Sequence, residues 1–447
     1  MNASAETVRS GLSLRANFSW TFAGNIVYTG CQWLMLIVLA QLGSPAMVGQ
    51  FALGLAVTAP IMMFTNLQLR SIQATDARQE YRFGDYLALR LISTLLALLI
   101  IVTIVLLAGY RRETALVILT VGVAKAFEAV SDVFYGLQQQ HERMDRIAQS
   151  MMIKGVLSLL ALGVAIAITG RVLWGTLGLA TVWAVILIAY DVRSGRLIFQ
   201  NDAGLGNTSL HDHSRQPSLA PCWQWRSLVK LVWLAWPLGL VMMLLSLNAN
   251  IPRYMSERYL GERELGIFAA LAYLMIAGNT VIAALGQSAT PRLARYYVQG
   301  DRAAFGNLLL RLMGIGVIAG AAGVVGALIA GQPLLGLIYG TEYADHSDVL
   351  LYLMIAAGIG YVASFLGYGM TAARYFRIQM PLFALIVGCT TIACMKFIPA
   401  AGLRGAALAL IISIAIQFCM SGLIMLYALY KPPRRSANYD ESNRQRT

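Results

Sequence analysis

The stretch Asp85–Ala108, DYLALRLISTLLALLIIVTIVLLA, carries one acid and one arginine near its start and almost nothing else that water would solvate. At about 1.5 Å of rise per residue, a helix of this length crosses the roughly 30 Å hydrocarbon core of a bilayer. The run is continuous over its whole length instead of alternating over about ten residues, which makes it a helix and not a barrel strand. Runs of the same kind lie on both sides of it. With 85–108 they give spans at 18–42, 47–69, 85–108, 114–137, 147–169, 172–192, 228–250, 265–289, 308–330, 348–371, 378–398 and 403–430. The sequence therefore predicts an all-α polytopic membrane protein of about twelve transmembrane helices.

Composition agrees with that reading. The 447 residues are 58% hydrophobic and 12% charged, against about 25% charged in soluble proteins, which excludes an ordinary water-soluble enzyme. The first run, 18–42, is longer than a signal-peptide core and has no small-x-small cleavage site, so it reads as an uncleaved span. The five cysteines, Cys31, Cys222, Cys389, Cys394 and Cys419, are scattered and form no CxxC pair. Neither a disulfide framework nor a metal site is expected from them.

The net charge of +13 is explained by where the cations fall. Alternate loops that include both termini hold 22 Lys and Arg residues and the other loops 7, while Arg90, Lys125, Lys154, Arg311 and Lys396 lie inside spans. By the positive-inside rule both termini are cytoplasmic. Most of the surplus is thus topological, and no nucleic-acid partner is expected. The basic run Lys431-Pro432-Pro433-Arg434-Arg435 after the last span suits acidic lipid headgroups.

The longest connection is rich in Gly, Ser, Asn and Pro and reads as a linker between two six-span halves. The expected organisation is an N-terminal six-helix bundle at 1–198, a cytoplasmic linker at 199–227, a C-terminal six-helix bundle at 228–430 and a basic tail at 431–447. His211-Asp212-His213 in the linker supplies too few ligands for a metal centre. An internal repeat supports the halves. Gly49-Gln50-Phe51-Ala52-Leu53 answers Gly266-Ile267-Phe268-Ala269-Ala270, Gly84-Asp85 answers Gly300-Asp301, and Gly175-Thr176-Leu177-Gly178 answers Gly402-Leu403-Arg404-Gly405. Six spans restore chain direction, so the repeats are parallel, an arrangement used by transporters that expose a path between halves on alternate sides.

The informative residues are those that a bilayer disfavours. Span four holds Lys125, Glu128 and Asp132, whose helical directions fall within about 60° of one another. Each ion costs roughly 2.5–3.5 kcal/mol at a helix centre, so this face should point into the bundle or a watery cavity. Asp132 has no cation near it in sequence. Span seven ends in Asn248-Ala249-Asn250-Ile251-Pro252-Arg253-Tyr254, where Pro252 should disrupt the helix and Arg253 sits at the outer mouth. Asn25, Tyr28 and Gln32 form a polar stripe on span one. Such stripes serve as interhelical glue as readily as substrate contacts. No Walker glycine-rich loop is present, so no nucleotide cofactor is expected. Transport would then draw on a proton or Na+ gradient, the membrane potential or the substrate's own gradient.

Glu128, Asp132, Phe134-Tyr135-Gly136, Gln138 and His141-Glu142-Arg143-Met144-Asp145-Arg146-Ile147-Ala148 resemble bacterial polysaccharide exporters of the Wzx-like oligosaccharide flippase type. So do Asn250-Ile251-Pro252-Arg253-Tyr254, Gly261 and Glu264-Leu265-Gly266-Ile267-Phe268. The superfamily also holds multidrug and toxin exporters, so the resemblance implies a MATE-like fold and no enzyme activity. It further implies translocation of undecaprenyl-diphosphate-linked oligosaccharide across the bacterial inner membrane for exopolysaccharide or O-antigen synthesis, beside a polymerase and a chain-length regulator. Carried onto this chain, Lys125 and Arg253 become phosphate or sugar contacts, with Asn25, Tyr28, Gln32, Asn248, Asn250 and Tyr254 as further cavity candidates. Glu128 and Asp132 become coupling or gating groups. A cation-coupled multidrug exporter is the neighbouring alternative, although span one lacks the acid common in that branch. A membrane polysaccharide polymerase or ligase is the alternative from another class.

Overall fold

The computed structural model describes residues 12–76, 80–204, 219–373 and 375–430. Most of these residues are helical, and the order is α1 (Leu14–Leu42), α2 (Pro45–Thr65), α3 (Leu69–Thr75), α4 (Phe83–Ala108), α5 (Arg112–Gln140), α6 (Met144–Thr169) and α7 (Val172–Ile186). A π turn (Leu187–Asp191) carries α7 into α8 (Val192–Gly204). Then follow α9 (Trp225–Leu260), α10 (Glu262–Gln299), α11 (Arg302–Tyr339), the short α12 (Thr341–Ala344), α13 (Ser347–Ala372) and α14 (Phe376–Tyr430). His211-Asp212-His213 and the basic tail lie outside the described residues.

Among the described residues, eleven helical stretches are long and apolar enough to cross a membrane. The last, α14, has 55 residues and would reach about 80 Å if straight. It is not one crossing. Gly402 leaves helical geometry at φ 58°, ψ −135°, and beyond it the chain doubles back so closely that a Cβ on Gly405 would overlap the backbone of Phe397. The two arms are also joined by the buried pair Thr390 Oγ1 and Ser413 Oγ. Twelve crossing segments result, as the apolar runs predict. Hydrogen bonds between transmembrane helices are worth about 0.6 kcal/mol on average and at most about 1.7. Replacing Ser413 with Ala should therefore lower resistance to denaturation in detergent by no more than about 1.7 kcal/mol, measured by unfolding followed through tryptophan fluorescence.

The chain forms two compact units, 1–270 and 271–447. In the first, α9 and the opening turns of α10 pack with α1 to α8, and α9 runs along α2. Apolar clusters among its described residues fill its interior. One gathers Leu53, Val57, Ala97, Ile101, Ile118 and Leu265, with Tyr110 and Tyr254 packed against it. Another gathers Leu69, Phe83, Val133, Phe134, Leu187 and Leu228. Helices α1 and α6 approach tightly where Gly24 faces Ala148, since small residues let membrane helices come close. In the second unit α11 and α13 cross at Gly320 and Gly358, and α13 packs on α14.

The matched repeat positions take matched structural parts. Asp85 lies in the first turn of α4 and accepts from the backbone N–H of Arg82, while Asp301 caps α11 by accepting from the N–H of Ala304. In both places a carboxylate sits against the positive end of a helix dipole. Gly178 packs α7 against Ala161 of α6 as Gly405 packs the second arm of α14 against the first. One expectation fails. Pro252 does not break its helix: α9 continues through both Pro237 and Pro252 to Leu260. Membrane helices tolerate proline where neighbouring segments meet the freed backbone groups, and Tyr254 and Gly239 both anchor α9 on α2 or the turn after it.

Candidate functional site

The polar residues of the first unit converge on α5. Lys125, Glu128, Asp132, Tyr135 and Gln139 recur at steps of 3, 4, 3 and 4, so they share an arc of about 80° on one helical face. Three groups form along this stripe.

At the first, Lys125 Nζ donates to Glu128 Oε2 at 2.7 Å, and Glu128 Oε1 accepts from the Tyr28 hydroxyl at 2.7 Å. The Lys125 ammonium lies 5.0 Å from the centre of the Trp183 ring, within cation–π range. The two charged side chains are 25% and 33% exposed, so the pair is only partly covered by its neighbours. The structure thus joins Tyr28 of α1 to Lys125 and Glu128. Asn25, from the same expected stripe, instead donates to Thr21 O of its own helix at 2.8 Å and is exposed. Gln32 lies one turn beyond Tyr28, half-buried.

At the second, Asp132 turns away from Lys125. It is met by Arg70 Nη1 at 3.5 Å and Arg90 Nη2 at 3.3 Å, so the acid without a local cation finds two from elsewhere in the chain. Those partners are distant in sequence and reach it only through folding. Arg90 is completely buried near the start of the apolar helix α4. Its other nitrogen Nη1 donates to Asn66 Oδ1. Asn66 ends α2 just where Leu67 and Gln68 take left-handed backbone, φ 51° at both. Left-handed geometry is costly for a side chain such as leucine. Here the break sets an asparagine beside the buried arginine. Arg70, one turn later, also donates to Gln139 at 3.0 Å and lies over the Tyr135 ring.

The third group was not anticipated from sequence. Lys154 of α6 is fully buried and spends its three N–H donors on Ser131 Oγ at 2.6 Å, Tyr135 Oη at 2.9 Å and Asp191 Oδ2 at 2.8 Å. Asp191 Oδ1 accepts from Ser150 at 2.6 Å, and Ser150 is 2.7 Å from the Tyr135 hydroxyl. The hydrogen bonds close into a ring from α5 through α6 to the π turn that ends at Asp191. π turns occur often at functional sites. A signal existed in the sequence: Lys154 and Asp191 are opposite charges in adjacent spans, both in the half nearer the same membrane face.

On α9, Asn250 is buried, donates to Ser246 O at 2.8 Å and accepts from Arg253 Nη1 at 2.8 Å. Asn248 is half-buried on the same helix. Tyr254 donates its hydroxyl to the carbonyl of Ala56, tying α9 to α2. Nearby, a cleft of about 730 Å³ is lined by Tyr110, Arg111, Tyr254, Glu257, Arg258 and Glu262. No cluster of metal-binding side chains occurs among the described residues.

Comparison with known proteins places these groups in context. A capsular polysaccharide biosynthesis protein of Staphylococcus aureus, CapF, is 28% identical over 417 residues, covering 93% of this chain and 98% of the relative. Among solved structures, the lipid II flippase MurJ in an inward closed conformation matches with a TM-score of 0.66 at 12% identity, over 93% of this chain and 88% of MurJ. An inward-facing multidrug resistance transporter of the MATE family matches with a TM-score of 0.59 at 15% identity, over 96% of this chain and 98% of that one. At these identities the solved structures establish the fold, which is MATE-like. The family described as polysaccharide biosynthesis protein matches residues 14–297. The chain is a multi-pass membrane protein that belongs to the polysaccharide biosynthesis protein family.

Proposed function

We propose that this protein is a flippase that carries undecaprenyl-diphosphate-linked oligosaccharide from the cytoplasmic to the outer leaflet of a bacterial inner membrane. The product would supply surface polysaccharide. The observation that carries the reading is the Lys125–Glu128 pair. A cation and an acid left partly exposed inside an apolar span are costly to turn toward lipid and belong on the bundle interior or a watery path, where the cation can meet anionic cargo. A diphosphate or an acidic sugar is such a cargo. The full-length relationship to a capsular polysaccharide protein favours the lipid-linked glycan over a drug. Both termini are cytoplasmic in this reading, which puts Arg253 and the cleft beside it at the outer face. Arg253, Asn250, Asn248 and Tyr254 would then meet the substrate as it leaves, with Tyr28, Gln32 and Asn25 on the α1 side. Glu128 and Asp132 are the acids through which a proton or Na+ gradient could act, and the membrane potential is a further source of drive. A polymerase and a chain-length regulator would receive the product, and acidic lipids would hold the basic tail.

The test asks where lipid-linked repeat units collect in a deletion strain. Accumulation on the cytoplasmic leaflet, with surface polysaccharide lost, is expected. Accumulation on the outer leaflet with altered chain length would identify a polymerase or ligase. Unchanged polysaccharide together with new drug sensitivity would identify a multidrug exporter.

A further inference from the structure

The two repeat motifs meet each other. A Cβ on Gly49 would overlap the carbonyl of Glu262, and a Cβ on Gly266 would overlap the carbonyl of Pro45. Glu262 stands 217 positions after Pro45, and Gly266 stands 217 after Gly49. Residue i of one segment therefore touches residue j of the other while j touches i, which is the signature of a contact lying on a twofold axis. The first turns of α2 and α10 cross here on bare backbone. What ties them is polar: Glu262 accepts from Gln50 Nε2 at 3.1 Å and from the hydroxyl of Thr114 on α5. Eight residues before Glu262, near the end of α9, Tyr254 reaches the Ala56 carbonyl of α2.

We propose that this crossing is the outer gate of the transport path and that Glu262 is its latch. The proposal rests on the flippase reading only for its orientation and cargo. In a pair of parallel repeats, a symmetric contact at one end closes that end, and cargo can leave there only if the contact parts. The crossing is suited to parting. Its glycines present no interlocking side chains, so separation creates no cavity in a packed core. Its polar ties transfer readily to water, because the cleft of about 730 Å³ already reaches Glu262.

The test uses the full chain in the native membrane, with its five cysteines replaced after the replacement is shown to support export. In this background Gln50→Cys with Glu262→Cys should cross-link under an external oxidant. Surface polysaccharide should then fall by about tenfold or more, as for a gate held in one state, and return with reductant. A cross-link that forms fully while export continues, or that cannot form, overturns the proposal. A second measurement does not depend on cargo. Pro45→Cys, buried at the crossing, should react slowly with a membrane-impermeant maleimide applied outside. It should react about tenfold faster when Glu262→Ala removes the latch and shifts the population toward the open state. Thr114→Val, which removes one of the two ties, should move the rate the same way by less. Equal rates in all three backgrounds overturn the latch. Latch-dependent labelling in a protein whose deletion spares surface polysaccharide would keep the gate and reject the flippase reading. Loss of polysaccharide on deletion, with a harmless cross-link, would do the reverse.

Discussion

Replacing Lys154 with alanine is expected to destabilise the protein by about 3–5 kcal/mol, the cost of leaving one member of a buried ion pair without its partner. Asp191 is completely buried and its charge is met by Lys154 and Ser150. Without the ammonium, Tyr135 and Ser131 lose a donor at the same time. Total stabilities near 5–15 kcal/mol make this a loss that most of the purified protein would not survive. The expected result is a sharp fall in the monodisperse fraction after detergent extraction and a lower unfolding temperature. Asp191→Asn should act in the same direction by stranding Lys154. Combining Lys154→Met with Asp191→Leu should recover much of the loss, because apolar residues of similar size often replace a buried ion pair at little cost. A double variant as unstable as the sum of the singles would mean that the two residues are not coupled.

That ring of hydrogen bonds also marks the limit of what the residue order reveals. The twelve crossings were legible because apolar runs of about twenty residues have few other uses. The repeat was legible because glycine and a helix-capping acid occupy set places in a backbone, and Gly49, Gly266, Asp85 and Asp301 each take such a place. The stripe of α5 was legible because helical periodicity fixes which residues share a face. What periodicity cannot say is which charge on a neighbouring helix completes the pair. Asp132 and its arginines are joined only after α2 breaks at Leu67 and Gln68, and those positions carry no glycine to announce left-handed backbone. Pro252 misled for a related reason. Proline removes a local hydrogen bond, but the contacts that hold α9 in place come from α2, far along the chain.

The second large effect separates function from stability. Lys125→Ala is expected to cut surface polysaccharide sharply, by up to about a hundredfold for a charge-assisted contact to a phosphate worth up to about 3 kcal/mol. Its effect on folding should be small by comparison with Lys154→Ala. Lys125 is partly exposed and leans on Trp183, and Glu128 keeps its hydrogen bond from Tyr28 when the lysine is gone. The charge swap decides between the two uses of the pair. Lys125→Glu with Glu128→Lys preserves an i, i+3 ion pair on the same face, so a protein that needs only the pair would export normally. A protein that needs a cation beside Trp183 would insert, extract and unfold like the wild type and still fail to export. The second outcome is the expected one. It would be read from immunoblots of membrane fractions together with surface polysaccharide. Full export by the swapped protein would reassign Lys125 and Glu128 to holding α5 in shape, and the anionic cargo would then need another cation along the path, with Arg253 the first to test.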